Sequence, residues 1–133
     1  MRLLVVEDDH LLNNTLCYNL SASGYNVDAA MTKAAAISFC KKQQYDLVVL
    51  DVNLPDGNGF DLCERLKECH PDTAVVFLTA NDMERDMLKG FELGADDYVT
   101  KPFPISVFRK KVSALLTRIE KQTGGDCYTD GTL

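Results

Sequence analysis

The sequence predicts an α/β domain of five β-α units, in which helices cover both faces of a five-stranded parallel sheet. Two observations support this fold class. Short runs rich in Val and Leu recur along the chain, and they are continuous rather than alternating, as in strands covered on both faces. Between these runs the apolar residues take the spacing of amphipathic helices, and one unit occupies about 20–25 residues.

Five segments are predicted as strands. The strongest candidates are the apolar runs at residues 3–6, 47–50 and 74–78, and weaker candidates lie at residues 25–29 and 98–100. Because each run is followed by a helical pattern, consecutive strands are expected to run parallel.

The first two predicted helices have recognisable ends. In the first, over about residues 9–22, Leu12, Leu16 and Leu20 share one face, and Gly24 is the expected stop. In the second, Thr32 is the expected N-cap.

Three further helices follow the same logic. They are predicted at about residues 60–69, at about residues 83–93 with Gly94 as the stop, and from Pro104 at the first helical position of the last helix.

Composition limits the classes of function. The 133 residues are 46% hydrophobic and 26% charged, which suits one domain with a core of its own. No apolar run approaches the length of a membrane span, and the N-terminal run is too short for a signal peptide. The net charge of −6 argues against direct contact with nucleic acid. The chain is therefore expected in the cytoplasm, and its five scattered cysteines are expected as free thiols: Cys17, Cys40, Cys63, Cys69 and Cys127.

The ends of the predicted strands carry the chemistry. In a doubly wound sheet, ligands bind beyond the carboxyl ends of the strands. Glu7 and Asp8 follow the first strand and Asp51 follows the third, so that their charges would repel one another in one hollow. Hard oxygen ligands favour Mg²⁺, or Mn²⁺, as the compensating ion. The backbone carbonyl of Asn53 is the natural candidate for a further ligand.

Two more strand ends extend this prediction. Thr79 ends the fourth strand and Lys101 follows the fifth, which adds a hydroxyl and an ammonium that suit phosphoryl oxygens. Asp51 is then the candidate nucleophile, forming an aspartyl phosphate. By contrast, Asp9 is interpreted as a helix cap, and the Asp56-Gly57 and Asn58-Gly59 pairs suit ordinary turns.

At these residues the sequence resembles the receiver domain of bacterial two-component response regulators. The resemblance covers about residues 2–121 and is carried by Leu-Val-Val-Glu-Asp-Asp, Val-Val-Leu-Asp-Val-Asn-Leu-Pro-Asp-Gly-Asn-Gly, Phe-Leu-Thr-Ala and Gly-Ala-Asp-Asp-Tyr-Val-Thr-Lys-Pro-Phe. It implies a flavodoxin-like or CheY-like fold with strand order 2-1-3-4-5. It also implies a phosphoacceptor that a sensor histidine kinase phosphorylates, rather than an enzyme.

The resemblance also implies a role for each matching residue. Asp8 would ligate Mg²⁺ directly and Glu7 through water, and Asp51 would be both phosphoacceptor and metal ligand. The Asn53 carbonyl would complete the protein ligands. Thr79 and Lys101 would contact the phosphoryl group, with a cis bond between Lys101 and Pro102, and Tyr98 would be the aromatic switch that turns inward on activation.

The segment Gly-Ala-Asp-Asp-Tyr-Val-Thr-Lys-Pro-Phe resembles the OmpR/PhoB winged-helix subfamily of transcription regulators. This resemblance implies a receiver over residues 1–121, and a linker over residues 122–133 that leads into a DNA-binding domain absent from this chain. It also implies a homodimer through the fourth helix, fifth strand and fifth helix, with these candidate residues: Lys89, Asp96, Asp97 and Lys111. Val107 stands where that surface is expected to carry an acid, so the usual set of ion pairs is incomplete.

Three other interpretations remain open from the sequence. A stand-alone receiver would signal by docking a partner. A Mg²⁺-dependent phosphohydrolase would want a second acid two residues after its nucleophile, where this chain has Asn53. A flavodoxin-like cofactor carrier would want a phosphate-cradling loop after Val6, and the sequence has none there.

Overall fold

The fold is a parallel sheet between two layers of helices. The computed structural model describes residues 1–79, 88, 92 and 94–128, with the backbone alone for residues 121–128. The strands are β1 (Arg2–Val6), β2 (Asn26–Ala30), β3 (Leu47–Asp51), the short β4 (Asn53–Leu54) and β5 (Gly57–Asn58), β6 (Ala74–Thr79) and β7 (Asp97–Thr100). The main sheet has the order β2-β1-β3-β6-β7, and every pair in it is parallel. Counted without the short pair β4 and β5, this is the predicted order.

The helices are α1 (His10–Ala22), α2 (Lys33–Lys42), α3 (Gly59–Cys69) and a C-terminal helix (Ile105–Tyr128). The predicted caps are confirmed, because Asp9 accepts the Leu12 N–H at 3.1 Å and Thr32 accepts the Ala35 N–H at 3.0 Å. After α1, Gly24 has a φ of +97°, a conformation that favours glycine and stops the helix.

The structure differs from the predicted elements in two places. Pro104 precedes the C-terminal helix instead of occupying its first position, and its carbonyl accepts the Phe108 N–H at 3.3 Å. The antiparallel pair β4–β5 has no apolar run to predict it.

Two further predictions lie partly beyond what the structure describes. Within the predicted helix over residues 83–93, it describes only Leu88 and Glu92, both helical. The C-terminal helix continues past residue 121, where the receiver was predicted to end, and the division into receiver and linker stays a prediction.

Alternate residues of each central strand pack into two separate hydrophobic cores, one on each face of the sheet. Leu4 and Val6 of β1 pack on the side of α2 and α3, whereas Leu3 and Val5 pack on the side of α1 and the C-terminal helix. All five residues of β3 are buried, including Asp51. Both faces of the sheet are thus covered, as the continuous apolar runs predict. In the described part of the chain, no helix combines the length and apolar character needed to cross a membrane.

Candidate functional site

Four strand ends bring polar side chains to one edge of the sheet. Glu7 directly follows β1, Asp51 ends β3, Thr79 ends β6 and Lys101 directly follows β7. The parallel register aligns these ends, since Asp51 pairs with Leu78 and Thr79 with Thr100. This is the carboxyl edge, where ligands of doubly wound sheets bind.

Three carboxylates converge at this edge. One oxygen each from Glu7, Asp8 and Asp51 lies within 4.8 Å of the others. Glu7 and Asp51 are buried, and Asp8 is exposed. Like charges this close repel by about 1 kcal/mol in water and several times more where water is excluded. The cluster therefore calls for positive charge beside it.

Lys101 supplies one such charge. Its Nζ lies 2.6 Å from Glu7 Oε1 and 3.0 Å from Asp51 Oδ2. Partial burial would lower the pKa of the Lys101 ammonium, but hydrogen bonding to the two carboxylates outweighs burial and raises that pKa above its usual value. Lys101 thus stays charged, and in the described part of the chain two of the three clustered carboxylates share this one ammonium.

Glu7 shows that the compensation is incomplete. Burial first, and the neighbouring Asp51 next, raise the pKa of Glu7 to about 7, against the opposing effects of Lys101 and the Asp9 N–H. Glu7 Oε2 accepts that N–H at 3.0 Å. Among the described residues, Glu7 Oε1 is paired with the Lys101 ammonium, which Asp51 Oδ2 shares. Two buried carboxylates that share one ammonium suit a further cationic partner.

The loop after Asp51 is held close to the Asp51 carboxylate. The Asn53 N–H donates to Asp51 Oδ1 at 2.9 Å, and the Gly59 N–H donates to the Val52 carbonyl at 2.7 Å. A Cβ at position 59 would collide with the Asp51 carbonyl oxygen, so the close return of the chain requires glycine there. The Asn53 side chain is exposed.

The donor set fits a hard divalent cation. All three clustered side chains offer carboxylate oxygen, which suits Mg²⁺ or Mn²⁺ rather than a softer metal. Two of the three are buried, and these two share the Lys101 ammonium, so a divalent ion would supply the positive charge that the cluster lacks.

Thr79 and Tyr98 are buried on the neighbouring strands β6 and β7. Thr79 is buried, and its carbonyl accepts the Lys101 N–H at 2.7 Å, immediately before the cis bond between Lys101 and Pro102. Tyr98 is also buried, with its ring stacked on Phe77 at a centroid distance of 5.5 Å. An aromatic ring on β7 therefore packs against a ring of β6 that lies two residues before Thr79.

Three of the four candidates for a dimer surface make contacts within the chain. Lys111 pairs with Asp97 at 3.1 Å and donates to the Tyr98 carbonyl at 3.0 Å. Asp96 lies 3.5 Å from Lys67 and 3.3 Å from Arg118. The fourth candidate, Lys89, lies outside the described residues.

Two polar residues support the site without having been predicted to do so. Asn13 is fully buried and donates to the carbonyls of Glu7 at 2.9 Å and Ala30 at 3.2 Å, which ties α1 to the ends of β1 and β2. Its position, three residues before Leu16 on the buried stripe of α1, is the signal that could have identified it. Asp56 does not simply make a turn, because its carboxylate accepts two N–H groups of α2.

Comparison with known proteins identifies the family. Residues 3–113 match the family model described as the response regulator receiver domain. The chain therefore belongs to the response regulator receiver family, and the predicted resemblance is confirmed.

Curated relatives are transcriptional regulators. The chain is 42% identical over 117 residues to the transcriptional regulatory protein CreB of Escherichia coli (strain K12), covering 88% of this chain and 51% of CreB. It is 40% identical over 119 residues to the alkaline phosphatase synthesis transcriptional regulatory protein PhoP of Bacillus subtilis (strain 168), covering 90% of this chain and 50% of PhoP. The chain thus spans about half the length of these relatives.

Solved structures agree in fold. The non-phosphorylated HemR receiver domain from Leptospira biflexa matches with a TM-score of 0.82 and 41% identity, over 86% of this chain and 92% of that one. The response regulator DrrB, a Thermotoga maritima OmpR/PhoB homologue, matches with a TM-score of 0.80 and 37% identity, over 88% of this chain and 52% of DrrB.

Proposed function

We propose that this receiver domain accepts a phosphoryl group on Asp51 from a sensor histidine kinase, and that it does so with Mg²⁺ bound. The observation that carries the proposal is the cluster of three carboxylates at the carboxyl edge of the sheet, two of which contact the Lys101 ammonium. Phosphoryl transfer depends mainly on positioning and on neutralising charge, and this edge offers groups for both.

Asp51 is the acceptor in this proposal because it is central and already oriented. Asn53 N–H and Lys101 Nζ hold its two carboxylate oxygens at 2.9 Å and 3.0 Å. One of these oxygens attacks the phosphorus atom of a phosphohistidine on the kinase. The P–N bond breaks as the O–P bond forms, and the electron pair of the broken bond stays on the histidine nitrogen. The domain is then an acceptor of the phosphoryl group rather than an enzyme acting on many substrates.

The other residues supply charge and contacts. Asp8, Asp51 and the Asn53 carbonyl would hold the ion directly and Glu7 through water, and Mg²⁺ would neutralise the phosphoryl oxygens. The Lys101 ammonium, kept protonated by its carboxylate partners, would pair with a phosphoryl oxygen. The Thr79 hydroxyl would donate to another.

The switch follows from the same contacts. A phosphoryl group adds negative charge and strong acceptor oxygens at the end of β6, beside Thr79. A new contact to Thr79 would favour one arrangement of β6 and β7, where Tyr98 stacks on Phe77. The surface that responds would be the fourth predicted helix, β7 and the C-terminal helix, which would also form the homodimer.

The output is transcription regulation through a DNA-binding domain beyond this chain. Support comes from relatives named as transcriptional regulators, of whose length this chain spans about half. The length of the reading frame after the codon for Leu133 distinguishes this output from a stand-alone receiver.

Intact-mass measurement tests phosphorylation directly. The protein is incubated with acetyl phosphate, with and without Mg²⁺, beside an Asp51→Asn variant. We expect the wild-type protein to gain the mass of one phosphoryl group only when Mg²⁺ is present, and the variant to gain none. A variant that gains the same mass as the wild-type protein would contradict Asp51 as the acceptor.

A further inference from the structure

The loop after the acceptor strand is attached to a helix that does not contribute to the acidic cluster. Asp56 lies between β4 and β5, and its Oδ1 accepts the Lys33 N–H at 2.7 Å while its Oδ2 accepts the Ala34 N–H at 3.0 Å. Lys33 and Ala34 are the first two residues of α2, more than twenty positions earlier in the chain. Both carboxylate oxygens are therefore used in one long-range contact.

This contact completes the N-terminus of α2. The first N–H groups of a helix have no partner within the helix and favour negative charge. Thr32 accepts the Ala35 N–H at 3.0 Å, and Asp56 accepts the two N–H groups before it. The N–H groups of Ala34 and Lys33 lower the pKa of the Asp56 carboxyl, so it is charged under ordinary conditions.

Two neighbours of Asp56 strengthen the attachment. The Lys33 side chain lies over Gly57, where a Cβ would come within 2.8 Å of Lys33 Cδ. Leu54 is buried in the core on the α2 side of the sheet. Burial of Leu54 holds the loop against the core without fixing its direction, whereas the paired hydrogen bonds of Asp56 have a defined direction and distance.

The attachment closes a ring of contacts around the site. Asn53 N–H holds Asp51 Oδ1, and Asn53 pairs with Asn58 across the hairpin that carries Asp56. From Asp56 the ring continues through Lys33 to the end of β2, where the Ala30 carbonyl accepts the Glu7 N–H at 3.0 Å. The first turn of α2 thus connects the loop of Asp51 to the strand end that carries Glu7. Lys101, which contacts the carboxylates of both Glu7 and Asp51, completes the ring.

We infer that Asp56 is a positioning residue for the phosphoacceptor: by joining the loop to α2, it keeps the Asn53 amide on Asp51 and the Asn53 carbonyl where a metal ion would use it. The part of this inference that concerns the metal rests on the proposed function. The part that concerns the Asn53 amide does not, and it is measurable without any metal.

The test compares wild-type protein with Asp56→Ala and with Asp61→Asn. Asp61 is an exposed acid just beyond the same loop, so its substitution removes an equal charge and leaves the α2 contact intact. Amide hydrogen exchange is measured without metal. In Asp56→Ala we expect the amides of Lys33, Ala34 and Asn53 to exchange about tenfold faster, and in Asp61→Asn we expect no change at those three.

Calorimetric titration with Mg²⁺ tests the consequence for the metal. We expect the dissociation constant of Asp56→Ala to rise about tenfold, as when a residue that orients a metal ligand is lost. This rise should persist in 1 M salt, where the screening length is about 3 Å and a purely long-range charge effect is removed.

The outcomes separate the two claims. Unchanged exchange at Asn53 in Asp56→Ala overturns the positioning role, whatever the titration gives. Faster exchange at Asn53 with an unchanged Mg²⁺ dissociation constant overturns its consequence for the metal. Wild-type protein that binds no Mg²⁺ contradicts the proposed function, and the positioning role of Asp56 is then decided by the exchange data alone.

Discussion

The two edges of the sheet differ in how well their carboxylates are compensated by positive charge. At the amino edge, Asp96 meets two cations, Lys67 at 3.5 Å and Arg118 at 3.3 Å, and its carboxylate also accepts the Val75 N–H at 2.9 Å. At the carboxyl edge, three carboxylates cluster, and within the described part of the chain two of them share the single ammonium of Lys101.

The difference separates stabilisation from function. A carboxylate with two cations and a backbone N–H is fully compensated, and it joins neighbouring elements at the amino edge. Clustered carboxylates with too little positive charge destabilise the domain until a ligand supplies more. The carboxyl edge is thus maintained at a cost in stability, and that cost indicates a binding site.

Removing one lysine from each edge should give the largest difference in stability between the two edges. Lys101→Met leaves Glu7 and Asp51 buried without a cation, and we expect about 2 kcal/mol of lost stability, or about 8 °C in Tm, without metal. This is below the usual loss for a buried pair because Lys101 is partly exposed and Glu7 can take up a proton. Lys67→Met should cost less than about 1 kcal/mol, because Asp96 keeps Arg118 and the Val75 N–H.

Adding Mg²⁺ should change the stability of these two variants differently. Thermal unfolding in saturating Mg²⁺ should narrow the gap between Lys101→Met and wild-type protein, because the ion supplies the missing positive charge. The gap for Lys67→Met should not change. Equal losses at the two edges, both insensitive to Mg²⁺, would remove the distinction between them.

The pH dependence of stability should report the same imbalance of charge through Glu7. Because the pKa of Glu7 is raised to about 7 in the folded protein from an ordinary value of 4.5, the folded state binds more protons between these values. Without metal, the contribution of Glu7 to stability should therefore fall as pH rises from about 4.5 to about 7, and Tm should fall with it.

Glu7→Gln provides the matched variant for that measurement. It retains the size of the side chain but does not titrate. In the presence of a chelator, its Tm should therefore fall less than that of wild-type protein over the same pH range. Identical pH profiles for the two proteins would mean that Glu7 is not the group responsible.

Much of the fold follows from local sequence. The continuous apolar runs around Leu4, Val48 and Val76 predict strands buried on both faces, and the caps at Asp9 and Thr32 mark where helices begin. Once the strands are parallel, their ends must share an edge, and the acidic cluster with Lys101 follows from that geometry.

What the sequence did not predict depends on distant contacts. By composition, Asp56 next to Gly57 is an ordinary turn pair. Its carboxylate caps α2 only because that helix, which begins more than twenty residues earlier in the chain, packs next to the loop. Asn13 is likewise neutral by propensity, and its role depends on the carbonyls of Glu7 and Ala30 meeting above α1. The local pattern can place Asn13 on the buried stripe of α1, but it does not identify the distant partners of Asn13 or Asp56.

Calorimetric titration of wild-type protein with Mg²⁺, beside Asp8→Ala, tests most directly that the carboxyl edge is built for a cation. Asp8 is exposed, so its removal should leave the fold intact, and Asp72→Asn removes an exposed charge just before β6 as a control. We predict saturable binding of one ion, weakened about tenfold or more in Asp8→Ala and unchanged in Asp72→Asn. Absence of saturable binding, or equal affinity in Asp8→Ala, would contradict this account.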